Sequence, residues 1–227
     1  MLIVALGLAL LLIPKGELHL LLCNRHTPAR DIFYRYYTHI AEWAPYAISV
    51  LILLFGRAGN AALAASCIAC SELTTQIVKH IVQAPRPITW FAQHMPDVQL
   101  PLVEGVRVNQ WLSFPSGHTT SFFALFFVLT IIFGQWSHKR LAEGNRTKTL
   151  QSIGLILSFI LIPCALFLLA ALGGYSRIYL SQHFAADVLG GMTIGIIISM
   201  LCYALFSRWQ GKKWYNFRLW AYFFQKK

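Results

Sequence analysis

The sequence predicts an all-α integral membrane protein in which a single domain, residues 1–227, forms a bundle of six transmembrane helices. Two observations lead to this prediction. Hydrophobic residues make up 57% of the chain and charged residues only 12%, whereas soluble domains carry about 25% charged residues. Several apolar runs also approach the ~20 residues that an α-helix needs to cross ~30 Å of hydrocarbon. Composition and run length together therefore favour a membrane protein over a soluble one.

The predicted spans follow the apolar runs in chain order. The first run starts at the amino terminus without the basic residues or the small-residue cleavage point of a signal peptide, so we interpret it as a membrane helix. It is interrupted at Pro14-Lys15-Gly16-Glu17 and then resumes. Proline stops the third span. The six predicted spans are residues 2–22, 43–56, 61–84, 117–134, 150–172 and 184–207.

The basic residues predict the orientation of the bundle. The net charge is +11, with 19 Lys and Arg against 8 Asp and Glu. Six spans place both termini on one side, and that side carries 11 of the 19 basic residues. The positive-inside rule therefore predicts cytoplasmic termini. In a bacterial inner membrane, the connections at 23–42, 85–115 and 173–183 then face the periplasm.

Three other features receive a structural interpretation. Cys67 and Cys70 form a CxxC pair within a predicted membrane helix, where packing is a more common role than redox or zinc chemistry. Gly191 and Gly195 form a GxxxG pattern that predicts close helix packing. The sequon at Asn145 falls on the predicted cytoplasmic side and is expected to be a chance match. No arginine-rich arm or zinc-finger spacing supports nucleic acid as a partner.

The first charged cluster is Lys79-His80-Ile81-Val82-Gln83-Ala84-Pro85-Arg86-Pro87, at the end of the third span. Lys79 and Arg86 are seven residues apart, about two helical turns, so both side chains are expected to point the same way. Pro85 and Pro87 stop the helix and fix the backbone at Arg86. Taken alone, Lys79 has an equally good interpretation as a side chain that snorkels to the interface.

The second cluster is Phe114-Pro115-Ser116-Gly117-His118-Thr119, which opens the fourth span. A helix N-terminus presents free N–H groups and the positive end of the helix dipole, and both suit phosphate. Gly117 lets the backbone approach a ligand closely. Ser116 either donates its hydroxyl to that ligand or caps the helix. A lone histidine at a helix start, such as His118, is more often structural.

The third cluster contains Ser176-Arg177, His183 and Asp187. His183 and Asp187 are at positions i and i+4, so we expect them to share a face of the sixth helix. A carboxylate bonded to one imidazole nitrogen fixes the tautomer and leaves the other nitrogen free to attack. An unpaired carboxylate is costly at the start of an apolar span, so Asp187 is expected to have a partner. A capping pair without a catalytic role is the alternative.

Together the clusters supply three cations, two histidines, one carboxylate and a glycine at a helix start, a set that suits phosphoryl transfer. With these motifs the chain resembles the type-2 phosphatidic acid phosphatase superfamily, whose pattern is K-x6-RP, PSGH and SR-x5-H-x3-D. Every position of that pattern is matched here, in order and with the expected spacing. The resemblance covers residues from about 23 to 207, with the motifs in a core at about 61–207.

The resemblance implies a role for each motif residue. His183 is the nucleophile, Asp187 orients it, and His118 protonates the leaving oxygen and later activates water. Neither a metal nor another cofactor is implied. The residues expected to bind the phosphoryl group are Lys79, Arg86, Ser116, Gly117 and Arg177.

The implied reaction is hydrolysis of a lipid phosphate monoester or diphosphate at the outward-facing end of the bundle. The long mixed loop 88–114 and the basic residues Arg25, Arg30 and Arg35 favour a bulky glycolipid, and the amphipathic segment 14–22 is a candidate access path for lipid. We therefore place lipid A ahead of undecaprenyl diphosphate, phosphatidylglycerol phosphate and phosphatidate. The expected partners are this phospholipid or glycolipid substrate and the membrane, and the oligomeric state is left open.

Two other classes of protein were weighed against a lipid phosphatase. Vanadate-dependent haloperoxidases share the phosphate site, but they are soluble proteins, and the apolar spans argue against that class. A non-catalytic membrane protein that binds or flips lipids is expected to have lost His183, His118 or Asp187, and all three are present.

Overall fold

The computed structural model describes residues 2–143, 153–154 and 156–224, and within them every regular element is helical, as predicted. A 3-10 segment, Thr38–Ala41, follows the third helix, and a π-helical segment, Leu157–Leu161, precedes the eighth. The predicted sequon at 145–147 lies outside the described residues. The α-helices are α1 Leu2–Leu12, α2 Lys15–Cys23, α3 Pro28–Tyr37, α4 Trp43–Gly56, α5 Ala58–Val82, α6 Pro87–His94, α7 Gly117–Glu143, α8 Ile162–Tyr179, α9 Ala185–Ser207 and α10 Leu219–Phe224.

Four helical stretches of the described chain are long and apolar enough to cross a membrane, and they match the predicted third to sixth spans. A bent pair, Pro28–Ala41 with Trp43–Gly56, passes the same test only when its two parts are taken together across a 53° bend. The predicted count of six spans is therefore not confirmed, because these residues support four, or five with the bent pair. The four stretches are Ala58–His94, Gly117–Lys139, Phe159–Tyr179 and Ala185–Ser207.

The predicted first span, residues 2–22, is two helices rather than one. Pro14 takes an extended conformation (φ −54°, ψ 142°) between α1 and α2. Proline has no N–H to donate and disfavours helical geometry in the residue before it, so the helix breaks there. Helix α2 instead packs against the site end of the bundle, where Leu18 is buried in a cluster with Ile178 and Val188.

Local signals account for the helix boundaries next to the site. Helix α5 ends at Val82, because the next residue, Gln83, adopts a left-handed conformation (φ 48°) and Pro85 follows two positions later. Helix α9 begins at Ala185, where the side chain of Asp187 accepts a hydrogen bond from the backbone N–H of Phe184. A side-chain acceptor at this position satisfies one of the free donors of a helix start.

Helix α8 continues to Tyr179, beyond the predicted end of the fifth span at residue 172. Arg177 therefore lies on the last turns of a helix and not in a connection. The prediction ended the helix too early because Gly173 and Gly174 weaken a helix by about 1 kcal/mol each relative to alanine. In the fold these glycines allow close contact, since a Cβ on Gly173 would meet the ring of Phe122.

Helix α7 is the centre of the bundle and packs against α5, α8 and α9. The predicted close packing at Gly191 and Gly195 is confirmed. A Cβ on Gly195 would lie 2.5 Å from the backbone oxygen of Thr120, and a Cβ on Gly191 would collide with the backbone oxygen of Ser116. These two glycines bring the start of α9 against the start of α7, where the second and third motifs lie.

The outer surface of the bundle is apolar, which agrees with an integral membrane protein. Leu51, Leu168 and Leu201 are each more than half exposed. Of the cysteine pair, Cys67 is buried in an apolar cluster with Leu63 and Val128, whereas Cys70 is exposed. Both thiols are free. The packing interpretation fits Cys67, whose side chain is buried, and does not fit Cys70, whose side chain is exposed.

Candidate active site

The predicted site residues converge at one end of the bundle, formed by the end of α5, the start of α7, the end of α8 and the start of α9. The three cations are almost completely buried: Lys79 is 8%, Arg86 6% and Arg177 7% exposed. Buried cations are costly unless they are held by hydrogen bonds or by a counter-charge. Each of the three side chains donates a hydrogen bond to a protein oxygen.

Arg86 is fixed by loop backbone. Its Nε donates to the carbonyl of Trp111 at 2.9 Å, and its Nη1 donates to Oε1 of Gln182 at 3.0 Å. Its backbone N–H bonds to the carbonyl of Gln110 at 2.8 Å. Helix α5 ends at Val82, so the predicted two-turn spacing from Lys79 does not apply. The two cations converge because the 95–113 loop folds back over the end of α5.

Lys79 lies on the last turn of α5, and its ammonium points into the site. The Nζ donates to the carbonyl of Leu112 at 3.2 Å. A Cβ on Gly117 would lie 4.0 Å from Cε of Lys79, so the lysine stem passes the start of α7. This burial leaves no room for the alternative in which Lys79 snorkels to the interface.

Arg177 connects the site to the segment before α4. Its Nη1 donates to Oγ1 of Thr38 at 2.7 Å. Its Nε is buried and has no hydrogen-bond partner among the described residues, so this donor is free for a ligand oxygen. The carbonyl of Arg177 accepts the backbone N–H groups of Gln182 at 2.9 Å and His183 at 3.1 Å. The turn that carries His183 is thereby tied to the end of α8.

His183 and Asp187 meet, but not on a shared helix face as predicted. Helix α9 begins at Ala185, so His183 lies before it, in the turn that leads from α8. The Nδ1 of His183 is 3.5 Å from Oδ2 of Asp187, and this nitrogen is buried with no closer partner. The pair forms because the Asp187 carboxylate caps α9 and thereby reaches back to the residues before the helix.

Asp187 joins the second and third motifs through its backbone carbonyl, while its carboxylate holds the residues around them. Its Oδ2 accepts from the hydroxyl of Ser113 at 2.5 Å and from the backbone N–H of Phe184 at 2.8 Å. The backbone carbonyl of Asp187 accepts a hydrogen bond from the backbone N–H of Ser116 at 2.9 Å. Sequence analysis did not find Ser113, because a serine 74 positions away carries no periodic relation to Asp187. Sequence analysis missed Gln182 for the same reason, because no periodicity relates it to Arg86, which donates a hydrogen bond to it.

The imidazole of His183 is neutral at physiological pH. Burial lowers its pKa to about 3, the nearby guanidinium groups of Arg86 and Arg177 act in the same direction, and Asp187 opposes them. An unprotonated imidazole keeps a lone pair on one nitrogen. Since Asp187 stands beside Nδ1, the lone pair is on Nε2, which has no hydrogen-bond partner within the described residues.

His118 and Ser116 begin α7 on the same side of the site. His118 is within electrostatic range of His183, Lys79 and Arg177. The Oγ of Ser116 accepts the hydroxyl of Thr119 at 2.8 Å, and it lies 3.4 Å from the Thr119 backbone nitrogen, which donates to it. Ser116 is therefore a helix cap, which was one of its two interpretations. His118, in the first turn of α7, is the second histidine of the candidate site.

Two more charged side chains lie near the site and were missed by sequence analysis. Glu72 is two turns deeper than Lys79 in α5 and accepts a hydrogen bond from Ser121. An acidic residue inside an apolar run is a recognisable signal, and it was overlooked because it lies outside the motifs. Lys15 of α2 places its Nζ 3.9 Å from the ring centre of Phe184, at the rim beside His183.

Comparison with known sequences assigns the chain to a family. Residues 60–210, which contain all three motifs and well over half of the chain, match the PAP2 superfamily. The chain belongs to the PAP2 superfamily. The match confirms the resemblance that the motifs predicted. A curated relative, the lipid A 4'-phosphatase of Porphyromonas gingivalis, is 26% identical over 210 residues, covering 87% of this chain and 76% of the relative.

Two solved structures share this architecture. The crystal structure of Aquifex aeolicus LpxE superposes with a TM-score of 0.61 at 26% identity, over 83% of this chain and 93% of that chain. The PAP2-type phosphatidylglycerolphosphate phosphatase from Bacillus subtilis gives a TM-score of 0.63 at 18% identity, over 93% of this chain and 98% of that one. The second likeness shows a shared fold.

Proposed function

We propose that this PAP2 protein is a membrane phosphatase that hydrolyses a lipid phosphate monoester or diphosphate through a phosphohistidine on His183. The observation that supports this most strongly is the convergence of three buried cations around a neutral histidine that is backed by a carboxylate. Hydrolysis of lipid phosphates is also the activity named for the Porphyromonas gingivalis relative.

In the first step, Nε2 of His183 attacks phosphorus in line with the ester oxygen. A P–N bond forms as the P–O bond to the lipid breaks, and His118 donates a proton to the departing oxygen. The imidazole of His183 becomes positively charged as it loses its lone pair to phosphorus. The carboxylate of Asp187, 3.5 Å from Nδ1, stabilises that charge and holds the ring in its reactive orientation.

In the second step, water replaces the histidine. His118, now neutral, accepts a proton from the water molecule as its oxygen attacks phosphorus, and the P–N bond breaks. Inorganic phosphate leaves and His183 regains its lone pair. The same residue thus acts first as an acid and then as a base, which returns both histidines to their starting states.

The phosphoryl oxygens are neutralised by side-chain cations in this proposal. Lys79, Arg86 and Arg177 are fixed by backbone or side-chain oxygens before substrate arrives, so little reorganisation is needed as charge develops. The backbone N–H groups at the start of α7 add the positive end of a helix dipole. The described residues contain no group of three or more His, Cys, Asp or Glu side chains that could hold a metal ion, and the reaction as proposed uses no metal.

Lipid A is our preferred substrate. The two relatives at 26% identity are a lipid A 4'-phosphatase and LpxE. The rim of the site is formed by α3 and the 95–113 loop, joined where Nη1 of Arg35 donates to the carbonyl of Glu104 at 3.3 Å. Lys15 and Trp90 lie beside Phe184 at this rim, and a cation next to aromatic rings suits the phosphate and sugar groups of a glycolipid head. Undecaprenyl diphosphate is the second candidate, because its phosphate would meet the same cations.

The proposed orientation places the site at the periplasmic face of the inner membrane with cytoplasmic termini. This assignment rests on the distribution of Lys and Arg along the chain. Cysteine substitutions offer a direct test, since Ser207→Cys and Gln93→Cys lie at opposite ends of the bundle. Labelling of intact cells by a membrane-impermeant maleimide should reach position 93 and not position 207. The reverse pattern would place the site in the cytoplasm.

The substrate test is phosphate release by detergent-purified protein in the presence of EDTA, with lipid A and undecaprenyl diphosphate as parallel substrates. We expect release from lipid A by the wild type and none by His183→Ala. Faster release from undecaprenyl diphosphate would make that lipid the preferred substrate and lipid A the second candidate. Release from neither lipid, nor from phosphatidylglycerol phosphate or phosphatidate, would favour a non-catalytic lipid-binding or flipping protein.

The covalent step has its own test. His118→Ala should slow both leaving-group departure and the attack of water, so phosphoenzyme should accumulate when the variant is given 32P-labelled substrate. The label should be acid-labile and alkali-stable, as expected for phosphohistidine, and absent from His118→Ala/His183→Ala. A wild type that turns over while no variant ever yields labelled protein would contradict a covalent intermediate.

A further inference from the structure

A cavity lined by both basic and apolar side chains lies at the end of the bundle opposite the candidate active site. It has a volume of about 720 Å³, within the range of ~300–1,000 Å³ that is usual for small-molecule sites. Its walls come from the end of α4, the start of α5, the end of α7, the start of α8 and α10. None of the motif residues lines it, so it is separate from the PAP2 site.

The rim of this cavity is basic. Arg57, Lys139 and Arg218 line it, and no Asp or Glu is among the described lining residues. The guanidinium groups of Arg57 and Arg218 form no ion pair or hydrogen bond within the described part of the chain. Unlike Arg86 and Arg177, these two arginines are not fixed by protein oxygens. Their charge is therefore uncompensated and favours an anionic ligand.

Below the rim the cavity is apolar and lies among membrane-spanning helices. Ile132 of α7 and Leu166 of α8 form part of this wall, while Trp136 and Trp220 lie nearer the rim. Tryptophan is enriched at the level of lipid head groups. The cavity therefore runs from a basic, tryptophan-bordered rim to a hydrocarbon-like interior, the same change of polarity that a phospholipid shows along its length.

We propose that this cavity binds one anionic membrane phospholipid. The phosphodiester of the head group lies between Arg57 and Arg218, and one acyl chain lies along Ile132 and Leu166. A free phosphate ion would use the basic rim and leave the apolar wall uncovered, so the occupant that matches both parts is a lipid. This end of the bundle also carries α10 and the basic residues Arg208, Lys212 and Lys213, and the proposed orientation places it at the anionic cytoplasmic leaflet.

The test is lipid retention by the full-length, detergent-purified protein, measured by native mass spectrometry during titration with dioleoylphosphatidylglycerol. This probe is a phosphodiester and not a monoester, so it is no substrate for the reaction proposed at His183. The wild type should retain one phosphatidylglycerol in preference to phosphatidylcholine. Arg57→Gln/Arg218→Gln should bind it about 30-fold more weakly, because each basic residue near a membrane surface contributes roughly a factor of five.

The matched control is Arg208→Gln/Lys213→Gln, which removes the same charge from the same end of the protein but outside the cavity. It should bind phosphatidylglycerol as the wild type does. Equal loss in both double variants would reduce the effect to general surface charge and overturn the proposal. Wild-type affinity in Arg57→Gln/Arg218→Gln would do the same. Glycerophosphoglycerol, the head group without acyl chains, should not compete. Effective competition would identify a site for a soluble phosphate ester.

A second variant keeps the proposal testable if loss of both arginines impairs folding. Leu166→Trp fills the apolar wall and leaves every charge in place, so it should lose the preference for phosphatidylglycerol while its melting temperature without lipid stays near that of the wild type. Retention of the preference by this variant would contradict an acyl chain along α8. Arg57→Gln/Arg218→Gln and Leu166→Trp should both keep wild-type phosphatase activity in detergent. Failure of the lipid-binding proposal is thereby distinguished from failure of the proposed function.

Discussion

The arginines at the two ends of the bundle are held differently. At the PAP2 site, Lys79, Arg86 and Arg177 are buried and donate to protein oxygens at 2.7–3.2 Å. At the opposite end, Arg57 and Arg218 border an open cavity with no such partners among the described residues. The first arrangement fixes charge in space before a ligand arrives. The second leaves the guanidinium groups of Arg57 and Arg218 without a protein oxygen to fix them among the described residues.

This difference suits two different tasks. A transition state gains most from charges that are already in place, because no free energy is then spent on ordering them during the reaction. Retention of a lipid only requires that charge follow the ligand, and flexible side chains at a solvated rim can do so. Substitutions at the PAP2 site should therefore lower turnover, whereas substitutions at the cavity should leave turnover unchanged and weaken lipid binding.

His183→Ala should give the largest effect, a loss of turnover on the order of 10⁴-fold or more, because no nucleophile remains. The measurement is phosphate release from the preferred lipid at saturating concentration. His80→Ala is the matched control, since His80 is an exposed histidine at the same end of α5. An active His183→Ala variant would move the nucleophile to another residue.

Arg177→Gln should lower kcat/KM by about 10²- to 10³-fold, the usual effect of removing one group that stabilises transition-state charge. Arg57→Gln removes the same charge at the opposite end and should leave the rate unchanged. Steady-state kinetics of the two variants side by side provide the check. Similar losses in both would mean that the overall positive charge of the protein, and not its fixed placement, sustains the reaction.

Ser113→Ala removes the 2.5 Å hydrogen bond to Asp187 and should lower kcat about tenfold with little change in KM. Ser113 touches Asp187 and not the phosphoryl group, so it acts by holding the carboxylate beside His183. Ser199→Ala is the control, because Ser199 is equally buried but its hydroxyl has no partner among the described residues. An effect confined to KM would indicate a direct contact of Ser113 with substrate.

Gly191→Ala should act mainly on stability. The added Cβ would collide with the backbone oxygen of Ser116, and overpacking of this kind costs about 1–3 kcal/mol. Gly134→Ala is the control, since its nearest contact is 3.8 Å away and alanine is the better helix former. Thermal melting in detergent should fall for Gly191→Ala and not for Gly134→Ala. An unchanged melting temperature for both would mean that α9 can shift away from α7.

The sequence predicted the helices of the PAP2 core and the residues that meet at the site. Apolar runs with proline or charge at their ends are local signals. They located both ends of α5 and α9 to within three residues, whereas α7 extends to Glu143, past the predicted end at 134, and α8 spans Ile162–Tyr179 where 150–172 was predicted. The motif spacing identified Lys79, His118 and His183 as parts of one site, and the structure brings them together. Both kinds of signal are contained in short stretches of chain, so neither required knowledge of the fold.

The parts that sequence analysis missed depend on contacts between distant segments. Ser113 and Gln182 hold Asp187 and Arg86, and Thr38 holds Arg177 across 139 positions. No periodicity connects such residues. The assumption that His183 and Asp187 share a helix face was wrong because helical spacing was applied to a residue that precedes the helix. Likewise, residues 2–22 were counted by length, although Pro14 divides them into two short helices.

The bonds made by Asp187 also have a consequence for how the protein is made. This residue is near the start of α9, which follows α5 and α7 in the chain, yet it receives the N–H of Ser116 and stands beside His183. Spans enter the membrane in order of synthesis, so Lys79 on α5 reaches the bilayer before the carboxylate does. The proposed nucleophile, His183, gains its orientation only when the last helix of the core docks. Nascent chains halted earlier, and truncated products that lack α9, should therefore be unable to dephosphorylate lipids.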